Sequence, residues 1–159
     1  MGIAGGQEKC DYAVRELGFD ACLDYKAGDL ASWLTAATPK GVDVLFENVG
    51  GPIMDLVLRR LNAFARVPLC GLISQYNETE VYGVTSFASL LVNRAKLQGF
   101  IVSDDMGRWP EALGKLGAWV AEGKIKGRET IANGIRSAPS AFVGMLRGEN
   151  IGKQLVKVA

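Results

Sequence analysis

The sequence predicts an α/β fold: a doubly wound parallel sheet that lacks its first strand and ends in a tail of helices and a strand. Three observations predict it. Short apolar runs of strand length alternate with segments whose apolar residues recur at helical spacing, the pattern of a parallel sheet covered on both faces. Two of these runs end in glycine turns that lead into helices, at Gly5-Gly6 and at Gly50-Gly51. The first run is already at Gly2-Ile3-Ala4, so the strand and glycine-rich turn that open such a sheet have no place before it.

Each element follows from local residue choice. Gly2-Ile3-Ala4 reads as the end of a buried strand, and the next helix carries Cys10, Tyr12, Ala13, Val14 and Leu17 on its apolar face. Arg15 and Glu16 face out, and Gly18 stands where a helix C-cap belongs. Ala21 to Tyr25 is a short strand. Asp29 caps a helix bearing Leu30, Trp33 and Leu34, which Pro39-Lys40-Gly41 ends. Val42 to Glu47 is the clearest buried strand of the chain. It runs through Asn48-Val49-Gly50-Gly51 into a helix with Pro52 in its first turn and Ile53, Leu56, Val57, Leu58 and Leu61 along it. Ala65 to Gly71 and Leu97 to Val102 are further strands, with a helix around Phe87 to Arg94 between them. A helix near Trp109 to Glu122, a segment at Arg128 to Ala132, a helix from Pro139 to Leu146 and a run from Gln154 to Val158 form the tail.

The chain has 159 residues, 48% hydrophobic and 22% charged, enough for one domain with a sizeable core. Lys and Arg number 18 and Asp and Glu 17, a net charge of +1, so no global field draws in nucleic acid or an anionic membrane. Cys10, Cys22 and Cys70 are scattered, and there is no histidine. That argues against a disulfide framework and a zinc site, and predicts a reducing, cytoplasmic setting. No secretory signal opens the chain, and no apolar run approaches the length of a bilayer span.

The glycine turn at Gly5-Gly6 bears on ligand choice. In a nucleotide-binding α/β domain an acid at the end of the second strand accepts hydrogen bonds from a ribose and repels a phosphate. Here there are glycines, followed by Lys9, a cation in the first turn of a helix that suits a ribose 2′-phosphate. The alternative for Lys9 is a solvated lysine. Tyr25 reads equally as a core residue, Asn48 as a turn former, and Gly50 and Gly51 as suppliers of positive φ. Cys70 reads as a small buried hydrophobe rather than a nucleophile, because no histidine exists to activate it. Trp33, Trp109 and Trp119 lie on helices and read as packing.

Six motifs in register carry a resemblance: Gly5-Gly6-Gln7-Glu8-Lys9-Cys10; Leu17-Gly18-Phe19-Asp20-Ala21 with Asp24-Tyr25-Lys26; Phe46-Glu47-Asn48-Val49-Gly50-Gly51; Cys70 to Asn77; Gln98 to Val102; and Gly148-Glu149-Asn150-Ile151-Gly152-Lys153. The chain resembles, over essentially its whole length, the zinc-independent medium-chain reductases acting on activated double bonds, a group that includes prostaglandin and leukotriene B4 reductases, plant alkenal reductases and curcumin reductase. The resemblance implies a Rossmann-like NADP-binding domain and NADP(H) as cofactor. Lys9 then binds the adenosine 2′-phosphate with Tyr25 beside it at Gly5, and Asn48 contacts the cofactor. It also implies that Cys70, Gly71, Ile73, Ser74 and Tyr76 pass along the nicotinamide ribose. Phe100, Ile101 and Val102 match a strand whose backbone meets the carboxamide, and Asn150 reaches back from the tail. Tyr76 is the catalytic candidate, because a positioned phenol stabilises the charge that develops on a carbonyl oxygen as hydride reaches the β-carbon of an enone.

Relatives of this kind carry a substrate domain, a first strand and a pyrophosphate-binding turn before the position of Met1. Residues 1–103 are therefore expected to form a partial NADP-binding domain, and residues 104–159 its remaining helix and a tail that packs towards the substrate domain. A sheet of order 3-2-1-4-5-6 without its first strand has two unpaired inner edges. The whole protein is expected to reduce the double bond of a small enone or alkenal and to be a homo-oligomer, commonly a dimer in this group, while this chain alone is expected to be inactive. Two other readings stay open: a non-catalytic nucleotide-binding or interaction module, and a fragment of an NADPH:quinone reductase.

Overall fold

A computed structural model describes residues 1–158. In chain order the elements are β1 (Gly2–Ala4), α1 (Gln7–Arg15), β2 (Cys22–Asp24), α2 (Leu30–Ala37), β3 (Val42–Val44), α3 (Gly51–Leu58), β4 (Leu61–Leu69), α4 (Ala88–Val92), β5 (Lys96–Gly99), α5 (Trp109–Ala121), β6 (Glu129–Asn133), α6 (Ala138–Leu146) and β7 (Lys153–Lys157). Contacts divide the chain into two units: Met1–Gly28 together with the chain from Pro110 onward, and Asp29–Trp109.

Among the described residues all strand pairs are parallel, in three separate sheets of order β1-β2, β3-β4-β5 and β6-β7. The expected α/β class, parallel strands interleaved with helices, is what the hydrogen bonding shows. The tail holds one strand more than expected, because the segment near Arg128 to Ala132 pairs along its length with β7, from Glu129 opposite Lys153 to Asn133 opposite Lys157.

In the first unit, β1 and β2 pair from Gly2 opposite Cys22 to Ala4 opposite Asp24, and α1 buries Cys10 and Ala13. Two expectations need correction. β1 is half-buried rather than buried, since among the described residues its one ladder partner is β2. Val14 and Leu17 are exposed, so the covered stripe of α1 is narrower than its apolar spacing. Gly18 follows the helix end with φ 73°, the left-handed conformation expected there.

The second unit has its core where α3 packs on β4: Met54, Leu58, Leu61, Ala65 and Val67 are buried, and Val42, Leu45, Leu90 and Leu97 pack against them. Asp29 caps α2 by accepting from the Ser32 N–H at 3.1 Å, and Pro52 occupies the first turn of α3. The strand expected to be buried from Val42 to Glu47 is regular only to Val44, and Phe46 is 63% exposed. An apolar run reports that a strand is suited to burial on two faces, and here one face is uncovered. β4 also carries a bulge. Phe64 has φ 63°, its N–H donates to the Asn93 carbonyl at 2.7 Å, and the Arg94 guanidinium lies 4.6 Å from its ring centroid.

Candidate functional site

The predicted site residues fall into two clusters, one in each unit. Gly5, Lys9, Tyr25 and Asn150 belong to the first; Asn48, Cys70, Gly71, Ile73, Ser74, Tyr76, Phe100, Ile101 and Val102 belong to the second.

In the first cluster the chain leaves β1 through Gly5 and enters α1 at Gln7. A Cβ on Gly5 would lie 2.9 Å from both the Tyr25 hydroxyl and Lys26 Cε, so a larger residue would push those side-chain ends off the turn. Asp24, at the end of β2, ties the turn down: its Oδ1 accepts from the Gly6 N–H at 2.8 Å and the Lys26 N–H at 2.9 Å. The Gly6 N–H, then the Lys26 N–H, hold the Asp24 carboxyl below the usual carboxylate range. Lys9 projects from the first turn of α1 and donates to the Gly148 carbonyl of the loop after α6. Tyr25 and Lys26 thus fold over the turn, Lys9 projects from the helix that follows it, and the Asp24 carboxylate is engaged by backbone N–H groups. Asn150 lies two residues beyond Gly148, and its amide donates to the Gly152 carbonyl at 2.7 Å, a local bond rather than one reaching outward.

The second cluster lies beyond the carboxyl ends of β4 and β5, where ligands of open α/β sheets bind. Glu47, only 3% exposed, organises the turn after β3: its Oε1 accepts from the Val49 N–H at 2.6 Å and the Gly50 N–H at 2.7 Å, and its backbone carbonyl accepts from Cys70 N at 2.8 Å. The segment Ile73–Gln75 is one turn of 3₁₀-helix stitched to that same turn. Ile73 N donates to the Asn48 carbonyl at 3.2 Å, and the Ser74 hydroxyl to the Val49 carbonyl at 2.6 Å. Gly71 admits its neighbours closely, since a Cβ there would meet Asn48 Oδ1 at 2.5 Å and the Tyr76 hydroxyl at 3.1 Å. Tyr76 is 67% exposed, and its phenolic oxygen accepts from the Leu72 N–H at 3.3 Å. Cys70, Gly71, Tyr76, Phe100, Ile101 and Asp104 line one surface concavity.

Two site expectations in this cluster are corrected. Cys70 is exposed, not a buried hydrophobe, because it stands past the end of β4 at the lip of the concavity. Phe100, Ile101 and Val102 are not strand residues: β5 ends at Gly99, whose partner Leu69 is the last residue of β4. With no ladder partner beyond that point, Ile101 N donates instead to the Asp104 carboxylate at 2.8 Å, and the Val102 carbonyl accepts from Trp109 Nε1 at 3.2 Å. Glu47 and Asp24 went unrecognised in the sequence as organisers of these turns. A charged residue within or beside an apolar run was the available signal.

The composition contains no histidine, and among the described residues no three His, Cys, Asp or Glu side chains group closely enough to hold a metal ion. No helix among the described residues is long and apolar enough to cross a membrane.

Comparison with known proteins places this geometry. The chain is 47% identical to an NADPH-dependent curcumin reductase of Escherichia coli (strain K12) and 39% identical to an NADP(+)-dependent 2-alkenal reductase of Nicotiana tabacum. All of the chain is covered in both, against 48% and 47% of the relatives' lengths, so it spans about half the length of the curated relatives it matches. The crystal structure of CurA in complex with NADPH from Vibrio vulnificus is 48% identical and superposes with a TM-score of 0.93 over 99% of this chain and 49% of that one. That likeness makes the fold Rossmann-like. The family described as zinc-binding dehydrogenase matches residues 1–118, more than half of the chain. The chain therefore belongs to the zinc-binding dehydrogenase family, and within it resembles the NADPH-dependent double-bond reductases.

Proposed function

We propose that this chain is the cofactor-binding portion of an NADP(H)-dependent oxidoreductase that reduces the C=C bond of α,β-unsaturated ketones or aldehydes. The observation that carries the reading is the turn at Gly5: Lys9 stands in the first turn of α1, Tyr25 and Lys26 fold over the glycine, and the Asp24 carboxylate at this turn is engaged by backbone N–H groups. Two ammonium groups and a phenol suit a ribose 2′-phosphate, and the relatives named above are NADP(H) enzymes. Residues 1–103 then form a partial cofactor domain, and residues 104–159 its remaining helix and a tail.

NADPH, when bound, supplies a hydride to the β-carbon of the substrate. The residues here have the other roles. Lys9 selects the phosphate, with Tyr25 beside it. Asn48 and the backbone along Cys70, Gly71, Ile73 and Ser74 orient the nicotinamide end, together with the turn of Phe100, Ile101 and Val102, and Asn150 supports the cofactor from the tail. Tyr76 Oη accepts from the Leu72 N–H, which leaves the phenolic hydrogen to donate to the substrate carbonyl oxygen as charge develops there. The family's name carries zinc, but this chain has no histidine and, among the described residues, no cluster of donors, so its own side chains do not fit that metal.

The same reading includes a small-molecule enone or alkenal as substrate, a cytoplasmic setting, no nucleic-acid partner, and association of copies. A net charge of +1 and three free cysteines support it.

The test is NADPH oxidation, followed by absorbance, with a small enone and the natural protein that carries this sequence. Enone-dependent oxidation that falls about a hundredfold in Tyr76→Phe is expected. No oxidation with any enone or alkenal overturns the reductase reading and leaves a nucleotide-binding module; oxidation with quinones alone favours a quinone reductase.

A further inference from the structure

Asp55 is the most heavily engaged side chain in the second unit and has no part in the reading above. It lies on α3, 1% exposed, where an apolar residue would be the ordinary occupant. Its carboxylate accepts from the Tyr82 hydroxyl at 3.1 Å, Thr85 N at 3.0 Å, Ser86 N at 2.7 Å and the Thr85 hydroxyl. Arg59 stands 3.5 Å away and donates in turn to the Ser86 hydroxyl at 2.8 Å. A buried carboxylate is costly to desolvate, and an apolar residue of the same volume often serves stability as well or better. What an apolar residue does not do is fix a loop in register through directed bonds.

The loop so fixed carries Tyr76. Tyr82 N donates to Gln75 Oε1 at 2.8 Å, closing a ring from Gln75 to Tyr82, and Gln75 Nε2 donates to the Ser74 hydroxyl at 3.1 Å. Tyr76 follows Gln75 directly, and its hydroxyl meets Leu72 N beside Gly71. The exposed residues between, Asn77 to Val81, contribute no side-chain hydrogen bond to the ring, so its geometry rests on Gln75 at one end and on the Tyr82, Thr85 and Ser86 bonds to Asp55 at the other. Clamping both ends removes most of the loop's conformational freedom at little closure cost.

We propose that Asp55 is a positioning residue: through Tyr82 and Gln75 it holds the Tyr76 phenol at the lip of the Cys70–Gly71 concavity. As a statement about catalysis this rests on the enone-reductase reading; as a statement about where Tyr76 is held it does not.

The test uses the natural protein with fluorotyrosine at position 76, in wild type, Tyr82→Phe and Asp55→Asn. Asp55→Asn can fail to fold, whereas Tyr82→Phe removes one hydroxyl from a partly buried ring and keeps the core. The expected result is a single dispersed fluorine resonance in wild type that moves towards the free-tyrosine position or splits in Tyr82→Phe, with amide exchange over residues 76–82 at least fivefold faster. In the enone assay, kcat falls about threefold or more while KM for NADPH stays within twofold, since displacement of a positioned group costs turnover more than binding. An unchanged resonance and unchanged exchange in Tyr82→Phe overturn the clamp; a moved resonance with unchanged kcat overturns its catalytic role. A wild type with no enone turnover overturns the reductase reading alone, because resonance and exchange still decide what holds Tyr76.

Discussion

Gly71 and Asn48 approach so closely that a Cβ on Gly71 would lie 2.5 Å from Asn48 Oδ1. The atom met is the tip of an exposed side chain, so Gly71→Ala is expected to push Asn48 aside at a cost below about 1 kcal/mol, less than overpacking a closed core. The urea midpoint should barely move while turnover of the natural protein drops at least tenfold. A large fall in stability with unaltered turnover would show that Gly71 serves folding only.

Glu47 behaves differently, because its carboxylate is buried and satisfies the N–H groups of Val49 and Gly50. Glu47→Ala leaves both donors without that acceptor, and the expected loss is about 2–4 kcal/mol by urea denaturation. Glu47→Gln retains one acceptor oxygen and should lose less.

Asp55 makes stability depend on pH in acid. Burial pushes its carboxyl up, but bonds from the Thr85 hydroxyl, the Ser86 N–H and hydroxyl and the Tyr82 hydroxyl outweigh it and bring the value down from 3.8 to about 2. A group whose pKa is depressed on folding contributes stability above its unfolded value, and that stability is lost as pH falls through the folded value. Between about pH 4 and pH 2 the protein should lose on the order of 2 kcal/mol through this group. Urea midpoints against pH should show an acid limb that is shallower in Asp55→Asn.

The three thiols should separate under alkylation. Cys70 is exposed, Cys10 is buried, and Cys22 is pushed up to about 12 by burial and then by the neighbouring Cys10 thiol. Iodoacetamide at pH 8 is expected to label Cys70 at least tenfold faster than the other two, read by peptide mass spectrometry. Equal labelling of Cys22 would contradict its burial against Cys10.

Much of the fold was legible because helical spacing and cap chemistry act locally. Asp29 before Leu30, Pro52 after Gly51 and the positive φ of Gly18 are choices made within a few residues, and each is seen. The glycine turns at Gly5-Gly6 and Gly50-Gly51 pointed to both candidate clusters for the same reason. What depends on a distant partner was not legible. Val42 to Glu47 has the composition of a strand buried on both faces, yet composition does not say whether anything covers Phe46. Phe100 to Val102 continue an apolar run past β5, but a strand needs a ladder partner, and β4 stops at Leu69. Asp55 looks like a surface charge in sequence, because the N–H groups that make its burial tolerable come from Thr85 and Ser86, far along the chain and folded back onto it.

The central claim is that the turn at Gly5 selects NADP(H) through Lys9, whose present acceptor, the Gly148 carbonyl, is neutral and displaceable by a phosphate. The direct measurement is the Kd of NADPH and of NADH, by fluorescence titration of the natural protein and of Lys9→Ala. A charge-assisted contact to phosphate is worth about 1.5–3 kcal/mol, so Lys9→Ala should weaken NADPH binding by about 10- to 100-fold and leave NADH within about twofold. Equal weakening of both cofactors, or an intact preference for NADPH, would contradict the account.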